Sequence, residues 1–153
     1  MATTFTRAAE ESLIDVGSSL HIGARGPTND STVFNHTREV GYGLINGSEL
    51  FKTGLNNTAK RVVKTLKGRS VYLCFDMDFF DPSCAPGVCT PTWGGATSRE
   101  GLEFLQNLAG LNLVGADINT VSPPHDISGM TAFLAATVGL EILTLFCHSK
   151  NLI

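Results

Sequence analysis

No basic cluster interrupts this chain. Its 11 lysines and arginines are scattered among 14 acidic residues, the formal net charge is -3, and a surface that tracks a phosphate backbone is not expected. Charge is sparse altogether, at 16% of residues, while apolar residues make up 42%. That balance excludes a disordered, solvated chain and leaves enough material for one domain-sized core over 153 residues. No CxxC pair occurs among Cys74, Cys84, Cys89 and Cys147, which argues against a zinc knuckle and for free thiols in the cytoplasm. The segment 1–15 mixes Arg7 with Glu10, Glu11 and Asp15 and lacks an apolar stretch, so no secretory signal is expected. One long hydrophobic run does exist, Met130 to Cys147. It is short for a membrane span and holds Glu141, Gly139 and three threonines. The run is read as a buried helix of an α/β layer, with no membrane partner.

What is present alternates between two periodicities. Ser18 to Ala24 is a short extended run bounded by Gly17 and Gly26-Pro27, and Gly41 to Ile45 is a second possible strand. The stretch from Pro27 to Thr37 between them reads as a polar loop with room for one helical turn. Leu55, Ala59, Val62, Val63 and Leu66 share one helical face that Gly68 closes. Val71 to Phe75 is continuously apolar, as in a strand covered on both faces. Asp81 to Gly95 is a loop with three prolines. Thr97 and Glu100 have capping-box spacing ahead of a helix stopped by Gly110, and Leu111 to Ile118 is the next buried strand. The pattern β-α-β-α predicts an α/β fold, with Ser18–Ala24, Val71–Phe75 and Leu111–Ala116 in one parallel sheet and helices on both faces. Those helices are expected over Ser48–Leu66, Ser98–Ala109 and Gly129–Phe146. The chain reads as a single domain over residues 1–153.

Ligands of open parallel sheets bind beyond the carboxyl ends of the strands. Val71 to Phe75 runs directly into Asp76-Met77-Asp78. On strand geometry these two aspartates point the same way. Two carboxylates that close repel unless a cation neutralises them, and hard oxygen donors suit Mg²⁺, Ca²⁺ or Mn²⁺. Solvated or capping aspartates are the bland alternative. A second cluster follows the next strand: Asp117, Thr120, Ser122, Pro123-Pro124, His125 and Asp126. Its bland reading is a proline-stiffened loop that caps a helix. Trp93, the one tryptophan, could stack on a guanidinium or pack its own loop. His21, His36 and His148 read as structural or solvated.

The order of these motifs resembles a known signature. Asp76-Met77-Asp78-Phe79-Phe80-Asp81-Pro82, then Ala85-Pro86-Gly87, Thr90-Pro91, Gly94-Gly95 and Thr97 to Glu100 are similar to the S-x-D-x-D-x-x-D-P, A-P-G, T-P, G-G pattern of the ureohydrolases, the arginase and agmatinase family. Val114 to Asp117, Ser122 to Asp126 and the final helix match the family's next block. Phe5, Arg7, Ala8, Leu13 to Asp15 and His21 to Gly26 resemble the middle region of agmatinase- and guanidinobutyrase-type members. The resemblance covers nearly the whole chain as the C-terminal half of the family fold.

It implies an arginase-like three-layer fold, here incomplete, and a two-Mn²⁺ site in which Asp76 and Asp78 are metal ligands. Such a site hydrolyses an agmatine-like guanidino compound to urea and an amine. Free guanidine or a guanidino acid is the alternative substrate. Trp93, Thr120 and His125 are the candidate substrate contacts, and the complete protein is expected to form a homo-oligomer. Two departures qualify this. The family's Gly-Gly-Asp-His and H-x-D-A-H-x-D ligand segments have no counterpart, and Thr120 stands where the family places a guanidinium-pairing glutamate. A non-catalytic remnant, or one subunit of a split ureohydrolase, is the competing reading.

Overall fold

A computed structural model describes residues 4–27, 32–150 and 152. The chain divides after Leu50 into two compact units. The first holds α1 (Thr4–Glu10), β1 (Leu20–Ala24), α2 (Val33–Val40) and β2 (Gly43–Asn46); α3 (Gly47–Thr53) crosses the division. The second holds α4 (Leu55–Thr65), β3 (Ser70–Asp76), α5 (Ser98–Gln106), β4 (Asn112–Asn119) and α6 (Met130–Ser149).

Among the described residues both pairs of named strands are parallel, but the strands form two sheets. β1 pairs with β2, and β3 pairs with β4. The expected single sheet through β1, β3 and β4 is thus corrected. β1 takes its ladder from the strand that follows α2, as β3 takes its ladder from the strand that follows α5. The polar stretch up to Thr37 also differs from expectation. Val33–Val40 is a helix, ended by Gly41 at φ 109° with its N–H on the Arg38 and Thr37 carbonyls. Residues 28–31 of that stretch lie outside the described residues. The helix expected over Ser48–Leu66 is two helices, because Gly54 sits at φ 87° between them. His21 is wedged edge-on between the Phe5 and Tyr42 rings, and burial lowers its pKa. That is a structural role.

In the second unit the core forms between the helices and the β3–β4 pair. Leu55, Ala59 and Val62 of α4 and Phe104 and Leu105 of α5 are buried as the 3.6-residue period requires. The Thr97–Glu100 capping box is fully formed: the Thr97 hydroxyl accepts from the Glu100 amide, and the Glu100 carboxylate accepts from the Thr97 amide. It stabilises the start of α5 by about 1 kcal/mol. Phe75, Phe79, Phe80 and Phe104 stack at centroid distances of 5.7–6.0 Å. Gly101 of α5 presses against the Phe80 ring, with no room for a Cβ.

α6 is not the buried helix that its composition predicts. Thr131, Val138, Ile142 and Leu145 are buried, whereas Met130, Phe133, Leu140 and Leu143 are 60–78% exposed. By length and composition alone it is apolar enough to cross a membrane. Its one acid, Glu141, accepts a hydrogen bond from Gln106 of α5 at 3.0 Å.

Candidate active site at the end of β3

The two aspartates meet by a different route from strand alternation. β3 ends at Asp76, and residues 77–79 form a 3-10 turn, so the period-2 argument does not apply to Asp78. Instead Asp76 caps the turn: its Oδ1 accepts the Asp78 amide at 2.9 Å. The same oxygen accepts the Thr120 hydroxyl in a very short contact. The Asp78 Oδ2 accepts the Thr90 hydroxyl at 2.7 Å. Burial pushes the Asp76 pKa up; the Thr120 and Asp78 donors oppose that shift, and the Asp78 charge adds to it. Desolvation leads, and repulsion between the two carboxylates is secondary.

Asp117 does not join the pair. In the β3–β4 register it lies beside Cys74, two residues short of Asp76. It accepts the Tyr72 hydroxyl at 2.8 Å, the Asn119 amide at 2.9 Å and the Cys74 thiol at 3.4 Å. Burial alone would raise its pKa, yet these donors hold it below the ordinary carboxylate value. Burial and the Asp117 charge push the Cys74 thiol up to about 11, so it is not a thiolate nucleophile at neutral pH. The register skips Val114 between Val71 and Tyr72. That irregularity lays the Tyr72 ring over Gly115, where a Cβ would come within 2.8 Å of it.

The loop from Asp81 to Gly95 closes over this end of the sheet. Asp81 accepts the Ser83, Gly94 and Gly95 amides. The Ser83 side chain first, and then these amides, lower its pKa to about 2. Gly87 donates to the buried Thr131 hydroxyl at 2.9 Å and accepts the Ser122 amide at 2.8 Å. Asp126 accepts the Thr131 and Ala132 amides, both at 2.9 Å, and so caps the first turn of α6.

The candidate residues therefore separate. Asp76, Asp78 and Thr120 form one cluster, together with Thr90, which sequence reasoning left unassigned. His125 is exposed with its Nδ1 2.8 Å from the Ser122 hydroxyl, and Trp93 is 76% exposed. Among the described residues neither hydrogen-bonds to an aspartate of the cluster.

The donor set suits a hard divalent cation in kind but not in number. Among the described residues no three His, Cys, Asp or Glu side chains converge on one point. The remaining ligands of any metal site have to come from outside these residues, and no reaction step follows from this cluster alone.

Comparison with known proteins places the chain. The model of the arginase family matches residues 1–144. The chain belongs to the arginase family. It is 38% identical over 147 residues to the guanidinopropionase of Pseudomonas aeruginosa, covering 96% of this chain and 46% of that protein. It is 38% identical to the guanidinobutyrase of the same organism, covering 92% and 44%. Proclavaminate amidino hydrolase from Streptomyces clavuligerus superposes with a TM-score of 0.88 at 36% identity, over 96% of this chain and 49% of that one. This arginase-family chain thus spans about half the length of the curated relatives it matches, with its α/β parallel-strand architecture conserved over that half.

Proposed function

We propose that this chain carries one half of a ureohydrolase active site, which hydrolyses a guanidino acid to urea and an amine when the other half of the fold is supplied. The observation that carries the reading is the cluster at the end of β3. Asp76 and Asp78 are adjacent carboxylates held by three donors, at the position the family signature gives to metal ligands. In this reading Mn²⁺ is the ion, and the paired carboxylates neutralise and hold it. Bound metal supplies a hydroxide nucleophile at neutral pH. The names of the two Pseudomonas aeruginosa relatives favour a short guanidino acid over agmatine.

The isolated chain should release no urea from guanidinopropionate, guanidinobutyrate or agmatine, with or without Mn²⁺. Fused behind the half of the Pseudomonas aeruginosa guanidinobutyrase that it does not match, it should show Mn²⁺-dependent urea release. Asp76→Asn and Asp78→Asn should each remove both metal and turnover from that fusion. Full metal content and activity in both Asn variants would refute the reading. The incomplete donor set among the described residues supports a second reading, a non-catalytic subunit. Silence of the fusion in the presence of folded secondary structure would favour it.

A further inference from the structure

One face of the β3–β4 pair carries polar groups that the cluster at Asp76 does not itself use. Alternate residues share a face of a sheet, so Tyr72, Cys74 and Asp76 of β3 lie beside Gly115, Asp117 and Asn119 of β4 in register. Glycine, aspartate and asparagine are poor strand formers, yet they fill this face at the end of β4. A closed ring of hydrogen bonds compensates the last two. The Asn119 amide donates to Asp117 Oδ1 at 2.9 Å and to the Cys74 sulfur at 3.1 Å, and the Cys74 thiol donates to Asp117 at 3.4 Å. An ionised carboxylate only accepts, so Asn119 must turn its NH2 group to Asp117. Both amide hydrogens are then spent inside the ring, and the side chain is held in one orientation. The Tyr72 hydroxyl holds the carboxylate by its other oxygen at 2.8 Å.

This ring sits where backbone pairing stops. The ladder between the two strands ends at the Asp76–Asn119 pair. The next residue is Thr120, at φ 69°, and its hydroxyl donates to Asp76 Oδ1. On its C-terminal side Thr120 is anchored through its carbonyl, which accepts the Cys89 amide at 3.0 Å. On its N-terminal side the anchor is residue 119, which sets the direction in which the chain leaves the strand. We propose that Asn119, clamped by Asp117 and Cys74, is a positioning residue for the carboxylate cluster: it fixes the backbone entering Thr120 and thereby the hydroxyl that holds Asp76. The consequence for metal rests on the proposed function, whereas the clamp itself does not. Two observations favour this role over plain stabilisation of the strand pair. Among the described residues the Asn119 side chain has no hydrogen bond beyond the ring, and an apolar β-branched residue would serve strand pairing better. In addition, the Asp76 oxygen that takes the Thr120 hydroxyl also takes the Asp78 amide at 2.9 Å. A displaced Thr120 is therefore felt at both carboxylates.

Amide hydrogen exchange on the full chain tests the clamp without metal or substrate. Asn119→Leu keeps the size of the side chain and deletes both donors. The Asp78 amide, bonded to Asp76, and the Cys89 amide, bonded to Thr120, should then exchange about tenfold faster, the worth of one hydrogen bond. The amides of the β3–β4 ladder should keep the parent rate. The exchanged pair, Asn119→Asp with Asp117→Asn, again sets an amide against a carboxylate and should return both rates to within about threefold of the parent. In the fusion to the unmatched half of the guanidinobutyrase, Asn119→Leu should weaken Mn²⁺ binding about tenfold and leave KM unchanged. Parent rates at Asp78 and Cys89 in Asn119→Leu would overturn the inference, as would an exchanged pair that restores neither. Equal acceleration of the ladder amides, in Asn119→Leu and in the milder Asn119→Ser, would also overturn it and make Asn119 a stabiliser of the strand pair alone. A parent fusion that binds no Mn²⁺ would count against the proposed function, and the exchange rates would still decide the clamp.

Discussion

Gly87→Ala tests whether the loop over β3 is locked to the start of α6. A Cβ at Gly87 would lie 2.5 Å from the Asp126 Cβ, 2.6 Å from its Cα and 2.8 Å from its Cγ. Carbon atoms rest at about 3.5–4.0 Å, so the two loops must separate by roughly 1 Å. Both contacts of Gly87 would then stretch beyond hydrogen-bonding range: its N–H to Thr131, now 2.9 Å, and its carbonyl to the Ser122 amide, now 2.8 Å. Overpacking costs about 1–3 kcal/mol, and an orphaned buried amide about 1–3 kcal/mol. The two share one displacement and do not add fully, so about 2–4 kcal/mol is expected. At roughly 2–4 °C per kcal/mol for a chain of this size, the midpoint should fall by about 4–16 °C. The assay is thermal and urea denaturation of the full chain followed by circular dichroism. Gly68→Ala is the control: its φ is 78° and nothing lies within 4 Å, so only backbone strain of about 1–2 kcal/mol applies. If Gly87→Ala were no worse than Gly68→Ala, the tight junction between the Ala85-Pro86-Gly87 and Pro123-to-Asp126 segments would not exist in solution.

Thr131→Val keeps the shape of a fully buried side chain but removes the acceptor of the Gly87 amide; a loss of about 1–3 kcal/mol is expected, and an unchanged urea midpoint would contradict it. Asp76→Asn should raise the midpoint of the metal-free chain at neutral pH. The folded Asp76 pKa lies above its ordinary value, so its contribution is fully present below that value and is lost as the pH rises through the folded pKa; the Asn variant should differ from the parent near pH 7 and converge with it in acid. Asp81 has the opposite sign: with a folded pKa of about 2, its contribution is present above about 4 and is lost as the pH falls toward about 2. Asp81→Asn should therefore flatten the acid limb of stability, and an unchanged limb would refute the lowered pKa.

The parts of the fold legible in the sequence were those governed by short-range rules. The apolar runs of β3 and β4, the capping box at Thr97 and Glu100, and the buried face of α4 follow from local pattern. α2 was read as at most one turn where it spans eight residues, because its polar sequence hides a helix whose signal is Gly41 at its C-terminus. The break at Gly54 was missed because the flanking helices share one apolar period. Sheet membership was misjudged because strand pairing is non-local. The site was legible to the same degree. Asp76 and Asp78 stand out in the sequence, yet their geometry depends on a 3-10 turn that alternation does not foresee. The position of Asp117 opposite Cys74 was not legible either, because the register irregularity at Tyr72 and Gly115 leaves no local mark. The same holds for Thr90, whose bond to Asp78 spans a loop of 12 residues.

Thr120 carries the strongest tension between backbone and function. Its φ is 69°, a region that a β-branched residue enters only at a cost of about 1–2 kcal/mol. Local bonds hold it there: its carbonyl accepts the Cys89 amide at 3.0 Å, and Ser122 just beyond it is tied to Gly87. In that conformation its hydroxyl is committed to Asp76. Thr120 therefore serves to hold a carboxylate, and strain is the cost of aiming it. Thr120→Asn separates the two effects. Asparagine enters the left-handed region readily, and its amide can still donate to Asp76. The midpoint should rise by roughly 2–4 °C for each 1 kcal/mol relieved. Thr120→Val keeps the strain and deletes the donor to a partly buried carboxylate. It should lose about 1–3 kcal/mol, more at pH 7 than in acid, where Asp76 is protonated. In the fused protein the same Val variant should lose Mn²⁺ content before it changes KM, because the hydroxyl acts on the ligand and not on the substrate. If Asn and Val lowered the midpoint equally, the backbone at Thr120 would be relaxed. A Val variant that raised KM with metal content intact would return Thr120 to the substrate.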